Sequence, residues 1–189
     1  MKLSDVEFRA MQTWYRKWGQ RYFELPLFQR LGLDVRGRDV LEIGCGSGLG
    51  AHLLNQLAPK SYIGLDVMEE QIALARRTYP QYQFMVQDAA DLSQFPTASK
   101  DVAIIFGVLH HIPNWRSALD EIRRVLKPNG QLFLEEPRGL DIKFFDLFFK
   151  WGHPNTDFGL NAMEEHLRHL GFQYRKQWTP LLTMYHCHT

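Results

Sequence analysis

The sequence predicts an α/β fold, a doubly wound and mostly parallel seven-stranded sheet with one antiparallel strand in a C-terminal hairpin. Three observations carry that prediction. Short, near-continuously apolar strands alternate with amphipathic helical stripes, the pattern of a parallel sheet covered on both faces and joined by right-handed crossovers. The first strand, Val40-Leu41-Glu42-Ile43, runs directly into Gly44-Cys45-Gly46-Ser47-Gly48-Leu49-Gly50, where glycines remove side chains at a tight backbone turn. Two β-rich runs close the chain on either side of Pro180, the signature of a hairpin.

Each element follows from the residues in order. Leu53, Leu54 and Leu57 share one face of the helix after the glycine turn. Tyr62-Ile63-Gly64-Leu65 forms the second strand, which ends at Asp66. Ile72, Ala75 and Tyr79 mark a helix over 69–79 that Pro80 stops. Tyr82 to Val86 reads as the third strand, Asp101 to Phe106 as the fourth and Gln131 to Leu134 as the fifth. Between the last two, Leu119, Ile122 and Leu126 make a helical stripe that ends at Lys127-Pro128-Asn129-Gly130. A last helix near 160–170 carries Met163, Leu167 and Leu170 and precedes Gly171, and the runs 172–178 and 181–187 form the hairpin.

Composition narrows the function. At 189 residues, 45% hydrophobic and 13% aromatic, the chain reads as one globular domain. Lys and Arg total 22 against 21 Asp and Glu, so nothing calls for a polyanion, and no nucleic-acid partner is expected. Two cysteines, Cys45 and Cys187, are too few for a disulfide framework and fit a reducing, cytoplasmic setting. The N-terminus has no apolar signal core, and no stretch approaches the roughly 18 unbroken apolar residues of a membrane span. His186-Cys187-His188 looks like a metal tract, but on a strand the two histidines face away from the cysteine. With no second ligand cluster beside it, no metal is expected.

A glycine turn between strand and helix is built to hold a nucleotide, and an acid ending the next strand, here Asp66, can accept from two ribose hydroxyls. Its ordinary alternative is a helix N-cap. Further along stand Gln87-Asp88-Ala89 after the third strand, Phe106-Gly107-Val108-Leu109-His110-His111 after the fourth, and Arg124-Val125-Leu126-Lys127-Pro128-Asn129-Gly130-Gln131-Leu132 leading into the fifth. With the E-x-G-x-G-x-G turn from Glu42 to Gly48, this ensemble over residues 38–137 resembles the class I S-adenosylmethionine (SAM)-dependent methyltransferases. The resemblance is closest to their small-molecule branch, which includes quinone-biosynthesis enzymes, and it implies a Rossmann-like sheet. Gly46-Ser47-Gly48-Leu49-Gly50-Ala51 also fits a nicotinamide fingerprint, but Glu42 and Gly44 precede it and too little chain follows for a separate catalytic domain.

The resemblance implies SAM as cofactor, S-adenosylhomocysteine as product, and a role for each matching residue. Backbone at Gly44, Cys45, Gly46 and Gly48 would lie against the methionine and ribose. Glu42 would support the loop and the cationic amino group, while Asp66 would take the ribose hydroxyls. Val67 and Met68 would sandwich the adenine, Asp88 and Ala89 would meet its polar edge, and Phe106 and Gly107 would bring a carbonyl to the amino group. Within a single domain over 1–189, segment 1–30 would form a helical cap, 38–137 the cofactor core, 138–170 an acceptor-side insertion and helix, and 171–189 the hairpin.

Acceptor contacts fall where the match stops. Tyr15 and Tyr22 on the N-terminal helix are candidates to touch cofactor or acceptor, although packing against the sheet would use the same aromatics. Residues Asp141 to Trp151 form a helix apolar nearly all round, suited to a pocket for a small, apolar or lipid-like acceptor, or to core or dimer packing. His111 is the first choice as base or acceptor-orienting residue, followed by His110 and Glu136, with His153 and Asp157 behind them. The absence of an Asn/Asp-Pro-Pro-Tyr/Phe motif after the fourth strand favours a small-molecule acceptor. Rival readings are SAM-assisted chemistry without methyl transfer and a non-catalytic SAM-binding partner. Peripheral membrane contact, monomer and homodimer all stay open.

Overall fold

The computed structural model describes residues 18–138 and 157–189. Tyr15, His153 and the apolar segment 141–151 lie outside the described residues. Seven strands, β1 (Asp39–Ile43), β2 (Ser61–Asp66), β3 (Gln83–Val86), β4 (Lys100–Phe106), β5 (Leu126–Pro137), β6 (Gln173–Trp178) and β7 (Leu182–His188), form one sheet in the order β3-β2-β1-β4-β5-β7-β6. Strands β1 to β5 run parallel, and β7 lies antiparallel to both β5 and β6. This is the predicted architecture, with the single reversed strand in the C-terminal hairpin.

Helices cover both faces because the strand side chains alternate. On one face α1 (Leu25–Arg30), α2 (Leu49–Asn55) and α3 (Glu69–Thr78) bury Phe28, Leu54 and Ile72 against Val40, Ile104 and Phe133. On the other, α4 (Trp115–Val125) and α5 (Leu160–His169) bury Trp115, Ile122 and Leu167 against Leu41, Ile105 and Leu134. Each such side chain contributes about 1.5–3 kcal/mol of transfer free energy. Helix α1 follows a π-helical turn over Gln20–Glu24. Among the described residues no helix is long and apolar enough to cross a membrane.

Most element ends shift by about a residue from the sequence reading, and two of the differences have a visible cause. Helix α3 ends at Thr78, one residue early, because Tyr79 leaves the helical region and stacks on His52 at 5.3 Å. Strand β5 begins at Leu126, where Lys127 to Gly130 had been read as the stop of the preceding helix. Leu126 pairs with Lys100, and the residues between it and Gln131 bulge outward, with Asn129 at φ +64°. The bulge brings Lys127 Nζ to Asp39 Oδ2 at 3.0 Å and Asp101 Oδ2 at 2.9 Å. Ser61 Oγ donates to Asp39 Oδ1 at 2.7 Å, and Lys60 Nζ reaches Oδ2 at 3.2 Å. The Ser61 hydroxyl first, then Lys127, hold the Asp39 carboxyl far below the usual carboxylate range.

Asp39→Asn is expected to cost about 1–2 kcal/mol at pH 7 in urea unfolding. Because the folded-state pKa is depressed, this contribution is present above the unfolded value near ~4 and disappears as pH falls below it, so wild type and variant converge in acid.

Helix α2 gives a second test. Gly50 passes directly over Glu42 of β1, and a Cβ there would overlap both carboxylate oxygens. A glycine-to-alanine change inside a helix ordinarily gains up to ~1 kcal/mol. Gly50→Ala is expected to have the opposite sign, with a lower midpoint in thermal unfolding.

Candidate functional site

The chain leaves the top of β1 through the glycine turn and enters α2 at Gly48. Gly44 lies against the segment leaving β4, and with φ +68° a Cβ on it would sit 2.5 Å from Val108 Cγ1. This close approach separates two adjoining hollows at the carboxyl ends of β1, β2 and β4. One lies between β1 and β3 and is walled by Asp66, Val67, Met68, Asp88 and Ala89. The other lies over the glycine turn, walled by Glu42, Cys45, Gly46, Gln71, Phe106 and Gly107. Gly44, Asp66, Val108 and His111 line both.

Asp66 stands at the seam. Its Oδ2 accepts from the Gly46 N–H at 3.0 Å and its Oδ1 from the Met68 N–H at 2.9 Å. The N-cap alternative is corrected, since Met68 occupies the cap position of α3 and no side chain caps it. Burial pushes the Asp66 carboxyl up, opposed by the Met68 and Gly46 N–H groups. Val67 is 45% exposed, an apolar face left open beside the first hollow, whereas Met68 is buried. Asp88 Oδ1 accepts from the Ala90 N–H at 2.9 Å.

In the second hollow, Glu42 is 2% exposed, and Tyr62 Oη donates to its Oε2 at 2.5 Å. Burial, with the Glu42 and Asp66 carboxylates nearby, raises the Cys45 thiol well above its ordinary value. Cys45 is therefore no thiolate nucleophile at neutral pH. His111 ends a one-turn 3₁₀ helix, Leu109–His111, and presents itself where the hollows meet.

Five predicted site residues take other places. Gly48 lines neither hollow; a Cβ there would lie 2.8 Å from the Phe84 ring, so this glycine serves packing under the turn. Glu136 is fully buried beneath the 3₁₀ turn, with Oε1 accepting from the Leu109 N–H at 2.8 Å and Oε2 bonded to His110 Nδ1 at 2.6 Å. The His110 ring lies 4.1 Å from that of His111, so Glu136 and His110 support the turn without facing either hollow. Tyr22 is 58% exposed and packs at 5.6 Å on Trp18, outside both hollows, while Gln20 of the same segment lines the second. Asp157 bonds the Trp115 indole at 3.0 Å and pairs with Arg116, joining the start of α5 to α4.

His186 is held by the Leu31 carbonyl at 2.9 Å from its Nδ1 and stacks on Phe133. Among the described residues no group of three or more His, Cys, Asp or Glu could hold a metal ion.

Two buried glutamines lining the second hollow, Gln20 and Gln71, escaped the sequence reading. Gln71, in the first turn of α3, is 2% exposed, lines the second hollow, and its Oε1 has no hydrogen-bond partner among the described residues. The signal was present: Gln71 falls four residues before Ala75, on the inner stripe of the helix, where a polar residue is the exception.

The family model described as a methyltransferase domain matches residues 41–134. A protein of Mycolicibacterium smegmatis designated a probable S-adenosylmethionine-dependent methyltransferase is 39% identical over 111 residues, 59% of this chain and 42% of that one. A fatty-acid O-methyltransferase of the same organism is 36% identical over 108 residues, 56% of this chain and 39% of that one. The chain thus spans about two-fifths of the length of these curated relatives. The crystal structure of a SAM-dependent methyltransferase from Aquifex aeolicus superposes with a TM-score of 0.76 at 16% identity, covering 99% of each chain, which establishes the shared fold. The quinone-biosynthesis branch named from the sequence finds no support among these relatives. With the glycine turn, the Asp66 seam and the strand order all in place, the chain carries a methyltransferase domain over residues 41–134, in the fold of the SAM-dependent methyltransferases that its relatives are named as.

Proposed function

We propose that this chain binds SAM across the two hollows and transfers its methyl group to a small, lipid-like acceptor. The observation that carries the reading is Asp66, whose carboxylate is held by two backbone N–H groups at the seam shared by both hollows. Its remaining lone pairs suit a ribose diol. The open apolar face of Val67, with Met68 and Ala89 beside it, suits an adenine ring, and Asp88 is the acceptor for an exocyclic amine. In the second hollow Glu42 offers a carboxyl to an ammonium group, and the buried Gln71 Oε1 lacks the donor that such a group would provide. The residues present therefore fit the cofactor.

A sulfonium carries its methyl group already activated for in-line displacement, so no metal is required. The protein's share is alignment and exclusion of water, which can be worth about 7–11 kcal/mol of barrier. His111, at the seam, is placed to orient the acceptor or to take its proton. The residues 38–137 would hold the cofactor, and the segments 1–30 and 138–170 would cover the acceptor. A lipid-like acceptor is supported by the fatty-acid O-methyltransferase relative.

Calorimetric titration with SAM and S-adenosylhomocysteine tests the reading. Wild type should bind both, and Asp66→Ala should lose at least about tenfold in affinity; Gln71→Leu should lose about tenfold, because a buried amide contact to a charged group is removed. Failure of folded wild type to bind either ligand would remove the reading. Binding without S-adenosylhomocysteine formation on long-chain fatty acids would remove methyl transfer to that acceptor class.

A further inference from the structure

The buried carboxyl group of Glu42 needs partners that hold it in one orientation. A carboxylate removed from water is costly unless hydrogen-bonded, and one free to rotate would present no fixed charge to a ligand. Three neighbouring residues are arranged around it. Gly50 leaves the space above it empty of side chain. Gly64 is its directly paired neighbour on β2, and a Cβ on Gly64 would sit 2.7 Å from Tyr62 Oη and 2.9 Å from Cys45 Cβ. The missing side chain opens the diagonal along which Tyr62, two residues earlier on β2, reaches across to β1. Its hydroxyl ends 2.5 Å from Glu42 Oε2, and its ring is set edge-on by Phe84 at 6.3 Å and Tyr82 at 6.4 Å. Burial and the carboxylate both push the phenol up, so it remains a donor across the whole working pH range.

We propose that Tyr62 is a positioning residue for the amino-acid end of the cofactor: its hydroxyl, passing over Gly64, locks Glu42 so that the carboxylate faces the second hollow as the acceptor for an ammonium group. The proposal rests on the SAM reading above, and it makes a selective claim that a purely structural hydrogen bond would not. Tyr62 should matter for ligands that carry the amino acid and not for ligands that stop at the thioether. Tyr62 does not line the first hollow.

The test is calorimetry on the full chain with two ligands, S-adenosylhomocysteine and 5′-methylthioadenosine, which shares the adenosine and sulfur but lacks the amino-acid group. In Tyr62→Phe, the affinity for S-adenosylhomocysteine should fall about tenfold while that for 5′-methylthioadenosine stays within about twofold, the loss expected for one hydrogen bond to a charged group. Placed on a Glu42→Gln background, Tyr62→Phe should add no further selective loss. If Tyr62→Phe does not fold, Gly64→Ala, which displaces the same hydroxyl, should give the same selective pattern. Equal loss for both ligands, or loss for neither, would overturn the proposal while leaving the SAM site intact. Wild type that binds neither ligand would remove the SAM reading and the proposal with it.

Discussion

The rest of the molecule depends on one topological constraint, the divergence of the chain at the tops of β1 and β4. From β1 the chain turns toward β2 on one side, and from β4 it turns toward β5 on the other, so the loops leaving these adjacent strands part and open a crevice between them. That crevice is narrow enough at its centre that only a glycine fits at position 44, against Val108. Everything with chemical character then gathers there. Asp66 arrives from β2, Glu42 from β1, Gln71 from the helix between β2 and β3, and His111 from the turn after β4.

Holding polar side chains at such a crevice means burying them, and the carboxyl groups of Asp66 and Glu42 are each tied to backbone or to a partner. The two oxygens of Asp66 knit the glycine turn to the start of α3. Glu136 does the equivalent on the far side, gripping both the Leu109 amide and the His110 ring from the end of β5. The 3₁₀ turn that carries His111 is thus clamped from below by the Glu136 carboxyl and from the side by the Gly44–Val108 contact. Preorganisation of this kind lowers the entropy lost when a flexible ligand is bound.

The strands and helices were legible because their hydrophobic periods are regular; Leu41 and Ile43 face one layer and Val40 the other, as alternation requires. Asp66 and the glycines at 44 and 46 were legible as lining the hollows because the strand-to-helix turn alone puts them at the carboxyl ends of the strands. Less legible were roles decided by contacts distant in sequence. Glu136 and His110 sit beside His111 in any reading of the chain, yet whether they face the crevice depends on which side of the turn meets β5. Gly48 reads as part of the ligand loop until the Phe84 ring, 36 positions away, is seen beneath it. Gln71 was faint for the opposite cause: its place on the inner stripe of α3 marks it as unusual, but its buried, unsatisfied oxygen shows only in the fold.

The two cysteines of the chain are both deeply buried, Cys45 in the glycine turn and Cys187 near the end of β7, with thiols raised well above their ordinary range mainly by burial. Neither offers a thiolate to an alkylating reagent while the fold is intact. A cysteine introduced anywhere on the exposed surface would consequently be the single reactive thiol of the folded protein. Fluorescent or spin labels can be attached at chosen points around the crevice without first removing either native sulfur.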